Sequence, residues 1–151
     1  MKITYKGDYA LKAILELSVR YEDNKNAVTP INEIAKFGDM PKKFLEQILL
    51  TLVRAKLVKS KRGAGGGFIL ARPPEDITIG EVIRLIEGPI EPIECVNEGY
   101  KGCADVKCCI LRNVWQEVAG AISIVVDTLT FKELVARYKE RTGTQMYEYS
   151  I

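Results

Sequence analysis

The 151-residue sequence predicts a mostly α fold with a small β-hairpin wing: a winged helix-turn-helix plus a long C-terminal dimerisation helix. Three observations predict it. Two short helical patterns are separated by the three-residue turn Gly38-Asp39-Met40, the connection of a helix-turn-helix. Directly behind them, residues 58–70 place two short apolar ends around the tip Gly63-Ala64-Gly65-Gly66-Gly67, and glycine supplies the positive φ values that hairpin tips need. Farther on, Leu111, Trp115, Val118, Ile122, Val125 and Leu129 follow a 3.5-residue period, the repeat of a helix with a helical partner.

Taken in order, Asp8 is placed to cap a first helix whose Ala10, Ala13, Ile14, Leu17 and Tyr21 recur at spacings of three and four. Leu11, Leu15 and Val19 form a second face, so this helix is expected to be covered on two sides. The polar run 22–26 reads as a loop. Thr29-Pro30 then starts a second helix with a side-chain cap and a proline at the first helical position. It carries Ile31, Ile34, Ala35 and Phe37 and stops at Gly38. Pro41 opens a third helix with Phe44, Leu45, Ile48, Leu49 and Leu52 inward, and Lys42, Lys43, Glu46, Gln47, Thr51 and Arg54 outward.

After the hairpin, Arg72-Pro73-Pro74 interrupts the chain, and Asp76 or Thr78 caps a short helix over 79–87 with Val82, Ile83 and Ile86 inward. Gly88-Pro89-Ile90-Glu91-Pro92 is a rigid, non-helical connector and the best boundary in the chain. It divides a winged helix-turn-helix domain, 1–92, from a cysteine loop and dimerisation helices, 93–151. The stretch 93–107 is irregular, a long helix is expected over 109–129, and a final helix over 131–141. The tail 146–151 carries no signal. Val114, Ala121 and Ile124 give the long helix a second apolar stripe. Two stripes need two partners, and a homodimer supplies what the chain itself lacks.

Charge is distributed unevenly. From residue 42 to 62 there are seven Lys or Arg and one acid, Glu46, a local charge of +6 in a chain whose net charge is +2. The remaining residues therefore carry about −4. Cations gathered on one helix and one hairpin are the electrostatic footprint of a nucleic-acid-binding surface. Lys and Arg suit phosphates, while Gln and Glu can read base edges in the major groove. On these grounds Lys42, Lys43, Glu46 and Gln47 of the third helix are the candidate DNA-binding residues, with Lys59, Lys61, Arg62, Gly63 and Gly65 of the wing. The partner implied is double-stranded DNA.

Other classes fare poorly. With no histidine in the chain, Ser-His-Asp and Cys-His nucleophilic pairs are excluded. The glycines at 63–67 end in Phe68 where a dinucleotide-binding G-x-G-x-x-G needs glycine, and no Gly-Lys-Ser/Thr follows. The chain is read as no enzyme. A protein-binding adaptor of the same fold has no use for the +6 segment. No stretch of 18 uncharged apolar residues occurs and residues 1–12 lack a signal-peptide core, so a cytoplasmic protein away from the membrane is expected.

All four cysteines, Cys95, Cys103, Cys108 and Cys109, fall within one polar segment. Disulfides fit a reducing compartment poorly, and the surroundings are too polar for a buried-thiol role. Soft-metal ligation or redox sensing remains. Zinc sites usually pair ligands as C-x₂-C, a spacing absent here, whereas three irregularly spaced thiolates leading into a helix suit an iron–sulfur cluster.

Several segments together resemble a family of winged-helix regulators that includes the iron–sulfur regulator IscR, the nitric oxide sensor NsrR and the cysteine-metabolism repressor CymR. They are Asp8-Tyr9-Ala10-Leu11, Phe44-Leu45-Glu46-Gln47-Ile48-Leu49, Arg62-Gly63-Ala64-Gly65-Gly66-Gly67-Phe68, Ile79-Gly80-Glu81-Val82-Ile83 and Cys109-Ile110-Leu111-Arg112-Asn113-Val114-Trp115. The resemblance covers nearly the whole chain. It implies a homodimeric transcription regulator with the long helix at the interface, and DNA-contacting positions at Lys43, Glu46 and Arg62. It also implies a cluster, of [2Fe–2S] type, held by Cys95, Cys103 and Cys109. Where IscR-like members complete the site with histidine, this chain has Arg112, which cannot ligate. Asp8 matches an aspartate that NsrR-like members bring from the partner subunit, and Cys108 is the other candidate. Cluster-free, thiol- or metabolite-responsive repression, as the resemblance to CymR implies, is the alternative.

Overall fold

The computed structural model describes residues 2–148; the end of the 146–151 tail lies outside them. Among the described residues, helix α1 (Tyr5–Asp23) is followed by α2 (Ile31–Phe37) and α3 (Lys42–Arg54), then strands β1 (Val58–Lys61) and β2 (Gly67–Leu70). Helices α4 (Ile79–Glu87), α5 (Ile110–Thr128) and α6 (Phe131–Glu148) complete the order. The expected class holds: helices with one antiparallel hairpin, paired in register from Val58↔Leu70 to Lys61↔Gly67.

The core forms where these elements converge on α1. Ala10, Ala13, Ile14 and Leu17 of α1 pack with Ile34 of α2, and with Leu45, Ile48, Leu49 and Leu52 of α3. Leu57, Val58 and Leu70 of the hairpin base and Val82 of α4 close the same cluster. Phe131, fully buried at the start of α6, brings the end of the chain back onto it. Periods of three and four on α1 and α3 thus translate directly into burial, which is the main stabilising term.

Helix ends show where local reading went astray. The cap of α1 is Thr4, whose hydroxyl accepts from the Gly7 N–H at 3.3 Å; Asp8 sits inside the first turn. There its carboxylate pairs with Lys12 at 2.7 Å and lies near the positive end of the helix dipole. Thr29 does not cap α2. It is buried and exchanges two backbone hydrogen bonds with Phe68, both 2.9 Å, which ties the wing to the α1–α2 loop. Of the two candidates for α4, Thr78 is the cap, accepting from the Glu81 N–H at 3.2 Å. Helix α6 runs past its expected end at 141. It begins with a reciprocal box, in which Glu133 accepts from the Thr130 N–H at 2.9 Å and Thr130 accepts from the Glu133 N–H at 3.4 Å. The bond from the Thr130 N–H, with a second from the Thr130 hydroxyl, holds the Glu133 carboxyl below the ordinary carboxylate range.

Helix α5 departs most from a self-contained domain. It packs on α4 and on the short turn Glu94–Val96 rather than on α1, so the first helix does not cover its apolar stripes. Its sheltered face is Arg112, Gln116, Ala119, Ile122, Ser123 and Val126, of which Ala119 alone is buried. From the stripes read in the sequence, Leu111, Val114, Trp115, Val118, Ile124 and Val125 all stand out in solvent.

Leu49 is fully buried between α3 and α1. Leu49→Ala is expected to lower the unfolding free energy by about 2–5 kcal/mol, read by urea denaturation at fixed protein concentration.

Candidate nucleic-acid interface and cysteine segment

Helix α3 is amphipathic by position. Leu45, Ile48, Leu49 and Leu52 anchor it from below, which leaves Lys42, Lys43, Glu46, Gln47 and Arg54 exposed on the opposite side. The three-residue turn before it is set by Asp39, whose φ of 49° is left-handed, and by the Met40 N–H donating to the Ala35 carbonyl at 2.9 Å. Buried Met40 then fixes the angle at which α3 leaves α2. Phe44 was expected inward; it is 41% exposed and meets the Tyr9 ring edge-on at 5.8 Å. Leu50, 51% exposed, lies on the same helical face as Lys43, Glu46, Gln47 and Arg54. Its place in that polar row was readable from spacing, and it offers an apolar contact of the kind thymine methyl groups accept.

The wing stands on the same stretch of chain. Strand β1 buries only Val58 and exposes Lys59, Ser60 and Lys61. Alternation in a strand puts Lys59 and Lys61 on one face, with Arg62 at the corner beyond. Gly63 and Gly65, at φ 96° and 74°, turn the tip, closed by the Gly66 N–H donating to the Gly63 carbonyl at 3.0 Å. At the base, a Cβ on Gly67 would overlap the Thr29 carbonyl oxygen. Glycine there admits the bridge that holds the wing to the body. All nine residues named from the sequence for this surface are thus exposed.

The connector after α4 leads to the turn Glu94–Val96 and the cysteine segment. Cys95 and Cys109 are half-buried, Cys103 and Cys108 exposed, and all four are unbridged. The Arg112 Nε donates to the Cys95 carbonyl at 2.6 Å, tying the start of the segment to the first turn of α5.

The Rrf2 family, described as iron-dependent transcriptional regulators, matches residues 3–137. The chain belongs to that family. An rrf2-like HTH-type protein of Rhodobacter capsulatus is 40% identical over 138 residues, spanning 89% of this chain and 92% of that one. The HTH-type regulator CymR of Bacillus subtilis is 34% identical, over 90% of this chain and 91% of its own. The solved structure of CymR, the global cysteine regulator of that organism, superposes with a TM-score of 0.74 at 35% identity, covering 91% and 98% of the two chains. The IscR structure from T. potens gives 0.73 at 29% identity, covering 93% and 90%. Rrf2 proteins are transcriptional regulators rather than enzymes, and the winged-helix reading stands with them.

Whether this Rrf2 chain suits iron is a question of donors and of placement. The donors suit it: four thiols on one segment are soft ligands. In placement they stand apart. Among the described residues, no three or more Cys, Asp or Glu side chains are grouped so as to hold a metal ion. Asp8 is engaged by Lys12, and Arg112 occupies the first turn of α5 beside Cys109. Among the described residues, no helix is long and apolar enough to cross a membrane.

Gly67→Ala should force β2 away from Thr29. The expected outcome is a loss of about 1–3 kcal/mol in stability by thermal or urea denaturation, with faster amide exchange at Phe68.

Proposed function

We propose that this Rrf2 chain works in the cytoplasm as a homodimer on double-stranded promoter DNA, with 1–92 as reading domain and 93–151 as sensing and dimerising part. One observation supports the reading: the cations of α3 and of the wing are exposed, and α3 and β1 pack against each other in one winged helix-turn-helix. Helix α3 enters the major groove, where Glu46 and Gln47 face base edges and Lys42 and Lys43 face phosphates. Lys59 and Lys61 extend the contact along the backbone, Arg62 reaches a base edge or the minor groove, and Gly63 and Gly65 let the tip approach closely. The uncovered apolar face of α5 supplies the second subunit, and with it the second reading helix.

The signal enters at the cysteine segment. Its primary chemistry is an iron–sulfur cluster, [2Fe–2S] by resemblance, held by Cys95, Cys103 and Cys109, with Cys108 or Asp8 of the other subunit completing the set. The segment must close for this to happen. Such a group, when bound, supplies redox and nitrosative sensitivity. The chain's own part is to gather the thiolates and to pass their ordering to α5 through Arg112. The ungathered thiols and the kinship with CymR favour a second reading, a cluster-free regulator that responds through thiol chemistry or a metabolite.

Two measurements test this. In gel shifts against promoter fragments, Arg62→Ala should weaken binding by about 1–3 kcal/mol, and Lys59→Ala and Lys61→Ala should each reduce the salt slope by about 1. Affinities and slopes equal to wild type would remove the wing from the interface. Anaerobic reconstitution followed by iron and sulfide assay decides the sensing chemistry. A coloured, iron-containing protein supports the cluster, and a colourless, iron-free one leaves the thiol reading.

A further inference from the structure

Helix α5 is joined to the reading domain at its C-terminal end. The Ile79 N–H donates to the Leu129 carbonyl and the Phe131 N–H to the Ile77 carbonyl, both at 3.0 Å, around an antiparallel bridge between Thr78 and Thr130. Those bonds form a pivot, leaving the tilt of the helix to side chains. One side-chain device spans the angle. Arg84 of α4 reaches Asp127 of α5 with both guanidinium nitrogens, Nη1 to Oδ1 at 2.5 Å and Nη2 to Oδ2 at 2.9 Å, and Nη2 also donates to the Ser123 hydroxyl at 3.3 Å. Gly80 lies beneath it, where a Cβ would overlap the Asp127 carboxylate and crowd Val126. Two helices meet closely there, and a planar fork locks their relative angle in a way a single-point contact does not.

The pair is poorly suited to another role. Both side chains are open to water, where an ion pair contributes little to stability. What a bidentate fork does well under such conditions is fix orientation. In a dimer seamed along α5, orientation becomes distance. Nineteen residues of helix span roughly 28 Å. A tilt of about 10°, smaller than the subunit rotations of allosteric proteins, moves the far end by about 5 Å. One base-pair step is ~3.4 Å.

We propose that the Arg84–Asp127 fork over Gly80 sets which half-site spacing the dimer accepts. Arg84 and Asp127 are positioning residues for operator choice, acting through the angle between α4 and α5 and touching no DNA themselves. This rests on the dimeric DNA-binding reading above.

The test uses the full chain. Wild-type protein is first taken through selection on random-sequence duplexes, and the selected site is remade with its central spacer altered by one and two base pairs. Wild type should prefer its own spacing by at least about tenfold over a one-base-pair change. Asp127→Asn, or Arg84→Gln from the other side, should bring neighbouring spacings within about threefold of one another, with melting temperature and dimer mass unchanged. The reversed pair, Arg84→Asp with Asp127→Arg, should recover at least part of the preference. Variants that keep the wild-type spacing preference, or lose affinity equally at every spacing, overturn the proposal. Failure of wild-type protein to select any paired half-sites defeats the underlying dimer-on-DNA reading instead, and the spacing proposal with it.

Discussion

A single unburied surface governs the organisation of this protein. Along α5, Leu111, Val114, Trp115, Val118 and Val125 face water, and Ile124 is 68% exposed. Apolar area of this extent on one helix is unfavourable in a folded monomer. Among the described residues nothing shelters it, and α1 is already enclosed by α2, α3, α4 and α6. In the proposed dimer, pairing with a second α5 removes the cost and at the same stroke duplicates the proposed reading surface.

Helix α4 links α5 to the first helix. Its N-terminal end joins the α5–α6 junction by backbone bonds, and its middle holds Asp127 through Arg84. Arg84 also keeps the Asp127 carboxyl ionised below the ordinary carboxylate range, chiefly by hydrogen bonding. At its C-terminal end the Glu87 carboxylate accepts from the Thr4 N–H and hydroxyl at 2.9 and 2.6 Å, beside the start of α1. The connector to the cysteines begins one residue later. A change in the order of that segment therefore has a short mechanical route to both α5 and α1. Arg112 on the Cys95 carbonyl adds a second route into α5.

Legibility followed periodicity and turn chemistry. Helix α3, the glycine-tipped hairpin and α5 were readable because each repeats its pattern several times or punctuates it with Gly or Pro. The exposure of Lys42, Lys43, Glu46 and Gln47 followed from the same pattern, since a helix with a buried row must expose the opposite one. Helix starts were harder. Thr4 and Asp8 are both good caps in isolation, and only the contact with Glu87, 83 residues away, favours the earlier one. Thr29 had the chemistry of a cap but was claimed by a strand bridge to Phe68. Arg84 and Asp127 lie 43 residues apart in the chain, and nothing local could pair them. The cysteines were conspicuous by crowding, yet their grouping in space is a tertiary property that spacing alone does not determine.

The most direct measurement is the solution mass of the full chain by light scattering, compared with that of Val118→Glu, which places a charge in the α5 face. Wild type should have twice the chain mass at micromolar concentration, and the variant should be a monomer with its helical circular dichroism intact. A monomeric wild type, or a variant that still dimerises, would contradict the account.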